Sequence, residues 1–339
     1  MIRPFFIGVS ALILAACAQP VSTSTQASFD KEAMDTLLSS AVDKGDVVGV
    51  SALVFDDGER VYTGAFGLRD KERNAPVDHD TVWRIYSMTK PVTSVIIMDL
   101  MEEGKLKLSD PASKYIPELA NMQVASAAED GTVTMTPQTH PMTIEDLLLH
   151  RSGIAYGIFG AISPVEGLYE KADLFNPAED LSVKMQKLSQ LPLIAQPGEA
   201  WYYSFSIDVL GRVAEVITGQ SLGDIMHERV FNPLGMDETG FHVTPELKPR
   251  FASNYYVTKD GSFALAEDGQ NSPYLKDNAF QSGGGGLVST IADYARFLQM
   301  IANGGRFQGK TYLKKGTVKL MTTNQLPKEI PAIVLGQTR

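Results

Sequence analysis

An α+β fold follows from three features of the chain. The folded body opens on a helical apolar stripe followed by two apolar runs around a turn. The segments beyond it carry helical stripes without a regular alternation of strand and helix, and no internal repeat is present. A doubly wound parallel sheet needs that alternation, so an antiparallel sheet with flanking helices is expected. Composition agrees: 339 residues, 44% hydrophobic and 21% charged, can bury a sizeable core and do not describe a disordered or coiled-coil chain.

Taken in order, the first 16 residues place Arg3 before an apolar run from Ile7 to Ala16. This is the pattern of a secretory leader and is too short to span a bilayer. Residues 17–27 are rich in Ser, Thr, Gln and Pro and read as a flexible tether. The folded body is then residues 28–339, with Ser28 as the expected cap of the first helix. Met34, Leu37, Leu38, Ala41 and Val42 form its apolar stripe, which ends at Gly45. Val47 to Val54 and Arg60 to Leu68 flank Asp56, Asp57 and Gly58, the signal of an antiparallel hairpin. Helices are expected over Val92 to Met101, Ile144 to Leu149, Ile207 to Ile217, Leu222 to Val230 and Ile291 to Ile301.

Several function classes are excluded or left unsupported. A net charge of -10 with no Lys or Arg run argues against a nucleic-acid partner, whose phosphates demand positive charge. One cysteine, Cys17, rules out an internal disulfide. His79, His140, His150, His227 and His242 have no zinc-site spacing, so no metal is implied, and no cofactor is implied either. His150 ends the run Leu147 to Leu149, where a cationic ring would suit a helix C-terminus. The tetraglycine Gly283 to Gly286 lacks the Lys and Ser/Thr of a phosphate-binding loop and reads as a tight structural turn.

The chemistry concentrates at Ser87, Met88, Thr89 and Lys90, an S-x-x-K string. Three residues apart on a helix, the two side chains share a face, and a desolvated amine beside a hydroxyl is a base that can activate it. A second S-x-x-K, Ser28 to Lys31, follows the polar tether, whereas Ser87 follows Val82, Trp83, Ile85 and Tyr86 and precedes an apolar helix. Ser87 is therefore expected at a buried helix start, whose field favours a developing anion. Gly219 to Gly223 matches G-x-S-x-G, the nucleophile elbow of α/β-hydrolases, but that motif needs a strand before its Ser. Here a helical stripe precedes it, so Gly219 is expected as a helix C-cap and Ser221 as the next N-cap.

Ser87 to Pro91, Met142 to Gly153, Trp201 to Gly219, Pro233 to Phe241 and Ser282 to Leu298 together resemble the serine β-lactamase and penicillin-binding-protein superfamily. Within it the chain is most similar to the class C-like family VIII carboxylesterases. The resemblance implies a β-lactamase-like fold with an all-helical lobe inserted between Ser87 and Gly285. It also implies acyl transfer from an ester to water through an acyl-enzyme on Ser87. Tyr203, in the string Trp201 to Phe205, matches the tyrosine of the family's Y-x-N motif and is the implied partner base of Lys90, with Tyr202 as the second choice. The Ser87 backbone N–H is implied as one oxyanion donor.

The match departs from the family pattern at two places. Phe205 occupies the Asn position of the Y-x-N motif, and a phenyl ring cannot hydrogen-bond an acylamino side chain, so this substrate-binding position favours esters over β-lactams or D-alanyl peptides. The third motif, K-T-G or W/H-x-G on a core strand, is expected after Met321 to Asn324 and is not found before Arg339; Lys310, Thr311 and Tyr312 do not supply it. The domain is accordingly expected to be incomplete at its C-terminus, with Ile330 to Leu335 opening another strand, and a binding protein of impaired turnover is the remaining alternative. Leu14, Ala15, Ala16 and Cys17 resemble the lipobox of bacterial lipoproteins, which implies a diacylglycerol on the Cys17 sulfur. Ala18 then implies a periplasmic protein anchored to the outer membrane. A small ester or cell-wall-like molecule is the expected partner, and no obligate protein partner is inferred.

Overall fold

The computed structural model describes residues 29–127, 132–157 and 164–330. The leader, the tether, Cys17, Ser28 and the segment from Pro331 onward lie outside the described residues. The first helix, α1 (Lys31–Asp43), is capped by Asp30, whose carboxylate accepts from the Ala33 N–H. Asp30 directly precedes the first helical residue, so it takes the capping role expected of Ser28. Next come β1 (Gly49–Asp56) and β2 (Glu59–Asp70), an antiparallel hairpin paired from Gly49 opposite Gly67 to Asp56 opposite Glu59, with a register shift between Val54 and Phe55. Its turn uses left-handed backbone at Asp57 and Gly58, as the Asp-Gly signal requires. A short β3 (Ala75–Pro76) extends the sheet in the order β1-β2-β3.

The strand β4 (Trp83–Arg84) leads through a tight 3₁₀ turn, Tyr86–Met88, into α2 (Thr89–Glu102). Val92, Val95, Ile96, Ile97 and Leu100 of α2 are buried, and this helix is apolar nearly all round because other elements surround it. Pro91 fits its first turn, where a missing N–H leaves no carbonyl unpaired. The chain continues through the hairpin β5 (Gln123–Ala127) and β6 (Val133–Pro137), then α3 (Ile144–Leu148), α4 (Pro164–Lys171), α5 (Leu181–Leu188), α6 (Ser206–Thr218), α7 (Leu222–Met226) and α8 (Asn232–Leu234). A wider, π-helical turn over His227–Phe231 joins α7 to α8, which divides the single helix expected there.

A second hairpin, β7 (Asn254–Val257) and β8 (Phe263–Glu267), precedes β9 (Val288–Ser289), α9 (Ile291–Ala302) and α10 (Lys315–Met321). The segment between Ser87 and Gly285 is therefore not all-helical as expected. Its two hairpins have local causes: alternating β-branched residues in Val133 to Thr136, and the Asp260-Gly261 turn with Gly261 at φ 84°.

One pairing decides where the site forms. Trp83 and Arg84 of β4 lie opposite Ser289 and Val288 of β9, and the Ile85 N–H donates to Leu287 O at 3.0 Å. The strand entering the Ser87 turn is thus bonded to the strand leaving the glycine run, across about 200 residues of sequence. The main core, around α2 and α6, buries Ile96, Ile97, Leu147, Val209, Leu210 and Val213 directly behind this junction.

Candidate active site

Ser87 lies in the turn just before α2 rather than within it, and its side chain is exposed while the following Thr89 and Lys90 are buried. The expected buried helix start therefore describes the helix and not the hydroxyl, which stands open to an incoming molecule. Tyr86 holds φ 42°, a left-handed conformation that costs a bulky residue free energy and turns the chain so that Ser87 emerges at the surface. The turn is held from outside by Tyr294, whose hydroxyl donates to Met88 O at 2.9 Å.

Three of the residues expected from the sequence converge. Lys90 Nζ lies 3.2 Å from Ser87 Oγ, as their spacing on one helical face requires. The Tyr203 hydroxyl donates to the same Ser87 oxygen at 2.6 Å. Lys90 Nζ also sits 4.5 Å from the centroid of the Tyr203 ring, so the amine and the phenol share one small space beside the serine. Tyr203, not Tyr202, is the partner; Tyr202 contributes its backbone N–H to His150 O at 2.9 Å. A hydroxyl with an amine and a phenol both within hydrogen-bond reach is the arrangement needed to remove its proton and return it to a leaving group.

Behind these three lies a layer that the sequence left unassigned. Lys90 Nζ donates to Gly284 O at 2.6 Å, so the glycine run reaches the site. Lys90 Nζ is also 3.5 Å from the Tyr156 hydroxyl, whose acidity is lowered by burial and by Asp208. Tyr156 meets Tyr203 edge-on, with ring centroids 5.4 Å apart. Tyr156 follows directly on the recognised Met142 to Gly153 stretch, and an aromatic residue there carries no motif of its own.

His150 packs its ring against Tyr203 at 4.9 Å and accepts from the Ser204 N–H through Nδ1 at 3.2 Å. Burial, and then the charge of Lys90, push its pKa down to about 3, so the ring is neutral at neutral pH. This corrects the cationic helix-end role expected of it. His150 does leave α3 at φ 54°, in the left-handed region, and a row of buried hydroxyls, Ser204, Ser206 and Ser152, continues from it at 2.7 Å spacings.

Phe205 is 0% exposed and lies among Tyr156, Phe175 and Phe280, with the Phe175 centroid 5.5 Å away. Its ring meets other aromatic side chains, Tyr156 among them, rather than the exposed surface beside Ser87 that an assignment to substrate binding implies. Its apolar packing explains why a large ring replaces an amide there.

Ser221 behaves as the helix-to-helix context implies. Gly219 caps α6 at φ 73°, and Ser221 Oγ accepts from the Asp224 N–H and donates to the Asp224 carboxylate. Lys310 and Thr311 pair with Phe307 and Arg306 in a small hairpin, and the Tyr312 hydroxyl donates to Pro233 O at 2.8 Å. That string is thus engaged elsewhere, in keeping with its exclusion as a third motif.

Known proteins resemble the chain over most of its length. The profile of the family described as Beta-lactamase matches residues 34–336. Esterase EstB of Burkholderia gladioli is 31% identical over 309 residues, which take in 86% of this chain and 75% of that protein. A protein of Mycobacterium tuberculosis is 37% identical over 287 residues, 85% of this chain and 70% of its own. Among solved structures, EstCE1, titled a hydrolase with promiscuous acyltransferase activity, superposes with a TM-score of 0.71 at 27% identity, over 85% of this chain and 75% of that one. The family match takes in the Ser87 helix, the Tyr203 segment and the glycine run together, and the chain belongs to the β-lactamase family.

Proposed function

We propose that this protein is a serine ester hydrolase in which Ser87 forms the acyl-enzyme and Lys90 and Tyr203 handle its proton. The observation that carries the proposal is the pair of contacts on one exposed oxygen, 2.6 Å from the Tyr203 hydroxyl and 3.2 Å from Lys90 Nζ. Ser87 Oγ attacks the ester carbonyl while its proton passes to the Lys90 and Tyr203 pair. The tetrahedral oxyanion faces the Ser87 backbone N–H at the start of α2, where the helix field also favours negative charge. As the intermediate collapses, the alkoxide leaves with the proton the pair holds. Water, activated by the same pair, then releases the acid and restores Ser87.

Esters are the substrate class that fits best. Tyr86 and Met88, each about half exposed, flank Ser87 with apolar surface. Relatives named as an esterase and as a hydrolase with acyltransferase activity support the same class. Hydrolysis of a chromogenic short-chain ester by the wild type, Ser87→Ala and Ser221→Ala tests it. Turnover should vanish in Ser87→Ala and persist in Ser221→Ala; turnover surviving in Ser87→Ala overturns the assignment.

The localisation belongs to the same proposal: a leader cleaved before Cys17, a diacylated sulfur, and a tether that leaves the domain at the periplasmic face of the outer membrane. Two acyl chains, at about 0.8 kcal/mol per buried CH₂, would hold it there. Cys17→Ser should then move the protein from the membrane pellet to the soluble fraction, and an unchanged pellet fraction refutes the anchor.

A further inference from the structure

Asp208 sits in the first turn of α6, fully buried between Ile207 and Val209, and no step above uses it. Its Oδ1 accepts from Ser282 Oγ at 2.6 Å and from the Gly284 N–H at 3.2 Å. Among the described residues its Oδ2 has no hydrogen-bond partner. The carbonyl of the same Gly284 accepts from Lys90 Nζ at 2.6 Å. One residue is therefore gripped at both ends, its N–H by the carboxyl and its C=O by the amine.

The glycine is what permits this. A Cβ at position 284 would lie 2.3 Å from Asp208 Oδ2, so only a bare Cα lets the carboxylate lie flush against the chain. The preceding carbonyl, Gly283 O, accepts from Thr93 Oγ1 at 2.7 Å, which straps the run to α2 nearly one turn beyond Lys90. The hydrogen bonds of Lys90 among the described residues go to Ser87, Tyr156 and Gly284, none of them a carboxylate. Asp208 is the acidic group that lies behind the glycine run.

We infer that Asp208 is a positioning residue that fixes Lys90 through the Gly284 peptide and sets a carboxyl group behind the amine. The inference rests on the Ser87 reading. The groups facing Lys90 are Asp208, the neutral His150, and the phenols of Tyr156 and Tyr203. Burial raises the Asp208 carboxyl from its ordinary range, while Ser282, Gly284 and Lys90 pull it back. The Asp208 carboxyl is thus tuned by the same contacts that hold the loop. Replacing the carboxyl with an amide removes an ionisable acid from behind the amine while keeping the Oδ1 acceptor.

The test is the pH profile of ester kcat/KM for wild type, Asp208→Asn and Ser282→Ala, with thermal melting to confirm folding. Asparagine keeps the shape and the Oδ1 acceptor, so a purely structural role would leave the profile in place. The expected result is an acid limb displaced to lower pH by about 1 unit in Asp208→Asn. Ser282→Ala should move it the same way by less, because losing one donor to Oδ1 favours the uncharged carboxyl. Folded variants whose acid limbs coincide with the wild type overturn the inference while leaving Ser87-dependent hydrolysis intact. If Asp208→Asn does not fold, the Ser282→Ala limb decides alone, and an unmoved limb there is likewise against it. Hydrolysis that survives Ser87→Ala marks instead the failure of the Ser87 reading, and the inference falls with it.

Discussion

The Tyr203 hydroxyl lies 2.6 Å from Ser87 Oγ although 116 residues separate the two in sequence. β4 and β9 bring the Ser87 turn to the glycine run, and α6, packed against α2, brings the Tyr203 segment over the same point. Tyr203→Phe keeps the ring over Lys90 and removes only the hydroxyl. Since general acid and base help is worth about 10²–10⁴ in rate, kcat for ester hydrolysis should fall by about that factor with little change in melting temperature. Tyr202→Phe, whose contribution to the site is a backbone N–H, should fall within twofold or so of wild type.

Gly284→Ala should damage catalysis by geometry alone. The new methyl would meet the Asp208 carboxylate, and the carbonyl that receives Lys90 would have to move. A displacement of about 1 Å in a catalytic group is worth about 10² in rate, so a drop of that order in kcat is expected. Gly316→Ala is the control: its Cβ would meet nothing within 4 Å in α10, and it should be neutral or stabilising by about 0.5–1 kcal/mol. Steady-state rates and melting curves of the two variants separate a local clash from a general intolerance of substitution.

His150 makes stability depend on pH. Its folded pKa is depressed to about 3 against 6.5 for the free group, so the unfolded chain binds a proton that the folded chain refuses. This term is absent above the unfolded value, and stability is lost progressively as pH falls from there toward the folded value. At pH 5 the loss from this residue should be about 2 kcal/mol. His150→Asn, which tolerates the left-handed backbone, removes the proton and should flatten the melting temperature between pH 7 and pH 5 relative to wild type. Parallel curves for the two proteins would show that the buried ring is not what titrates.

Phe205→Asn bears on stability before specificity. Truncating a fully buried ring among three other aromatic residues should cost about 3–5 kcal/mol, and the new amide would face Phe175 and Phe280 rather than a substrate. The ester preference is therefore read on the wild type, as kcat/KM for an ester against a β-lactam, with the ester expected to be the better substrate. Chemical denaturation of Phe205→Asn checks the stability claim, and an unchanged midpoint would contradict the packing described.

Much of this was readable in the sequence because it rests on local rules. The Asp57-Gly58 hairpin, the Ser221 cap, the Gly219 helix end and the i, i+3 pairing of Ser87 with Lys90 each follow from a few neighbouring residues. What escaped depends on contacts between distant segments. Asp208 differs from any other acidic residue near a helix start only in being flanked by Ile207 and Val209, and its partner Gly284 lies 76 residues away. The tetraglycine read as a structural turn, and it is one; that its carbonyl would receive Lys90 depends on the β4 and β9 pairing. His150 was placed correctly at a helix end, but its burial against Tyr203 and Ser204, which removes its charge, is a tertiary fact. Phe205 was identified by position, while its depth beneath the surface was not encoded nearby.

If Ser87 carries the acyl group, the intermediate can be trapped on it. The protein is mixed with an activated ester, quenched in acid and digested, and the mass of each serine-containing peptide is measured. One acyl adduct is expected, on the peptide bearing Ser87, absent in Ser87→Ala and slower to form in Tyr203→Phe. An adduct on Ser221 or another residue, or steady turnover of the ester by Ser87→Ala, would contradict it.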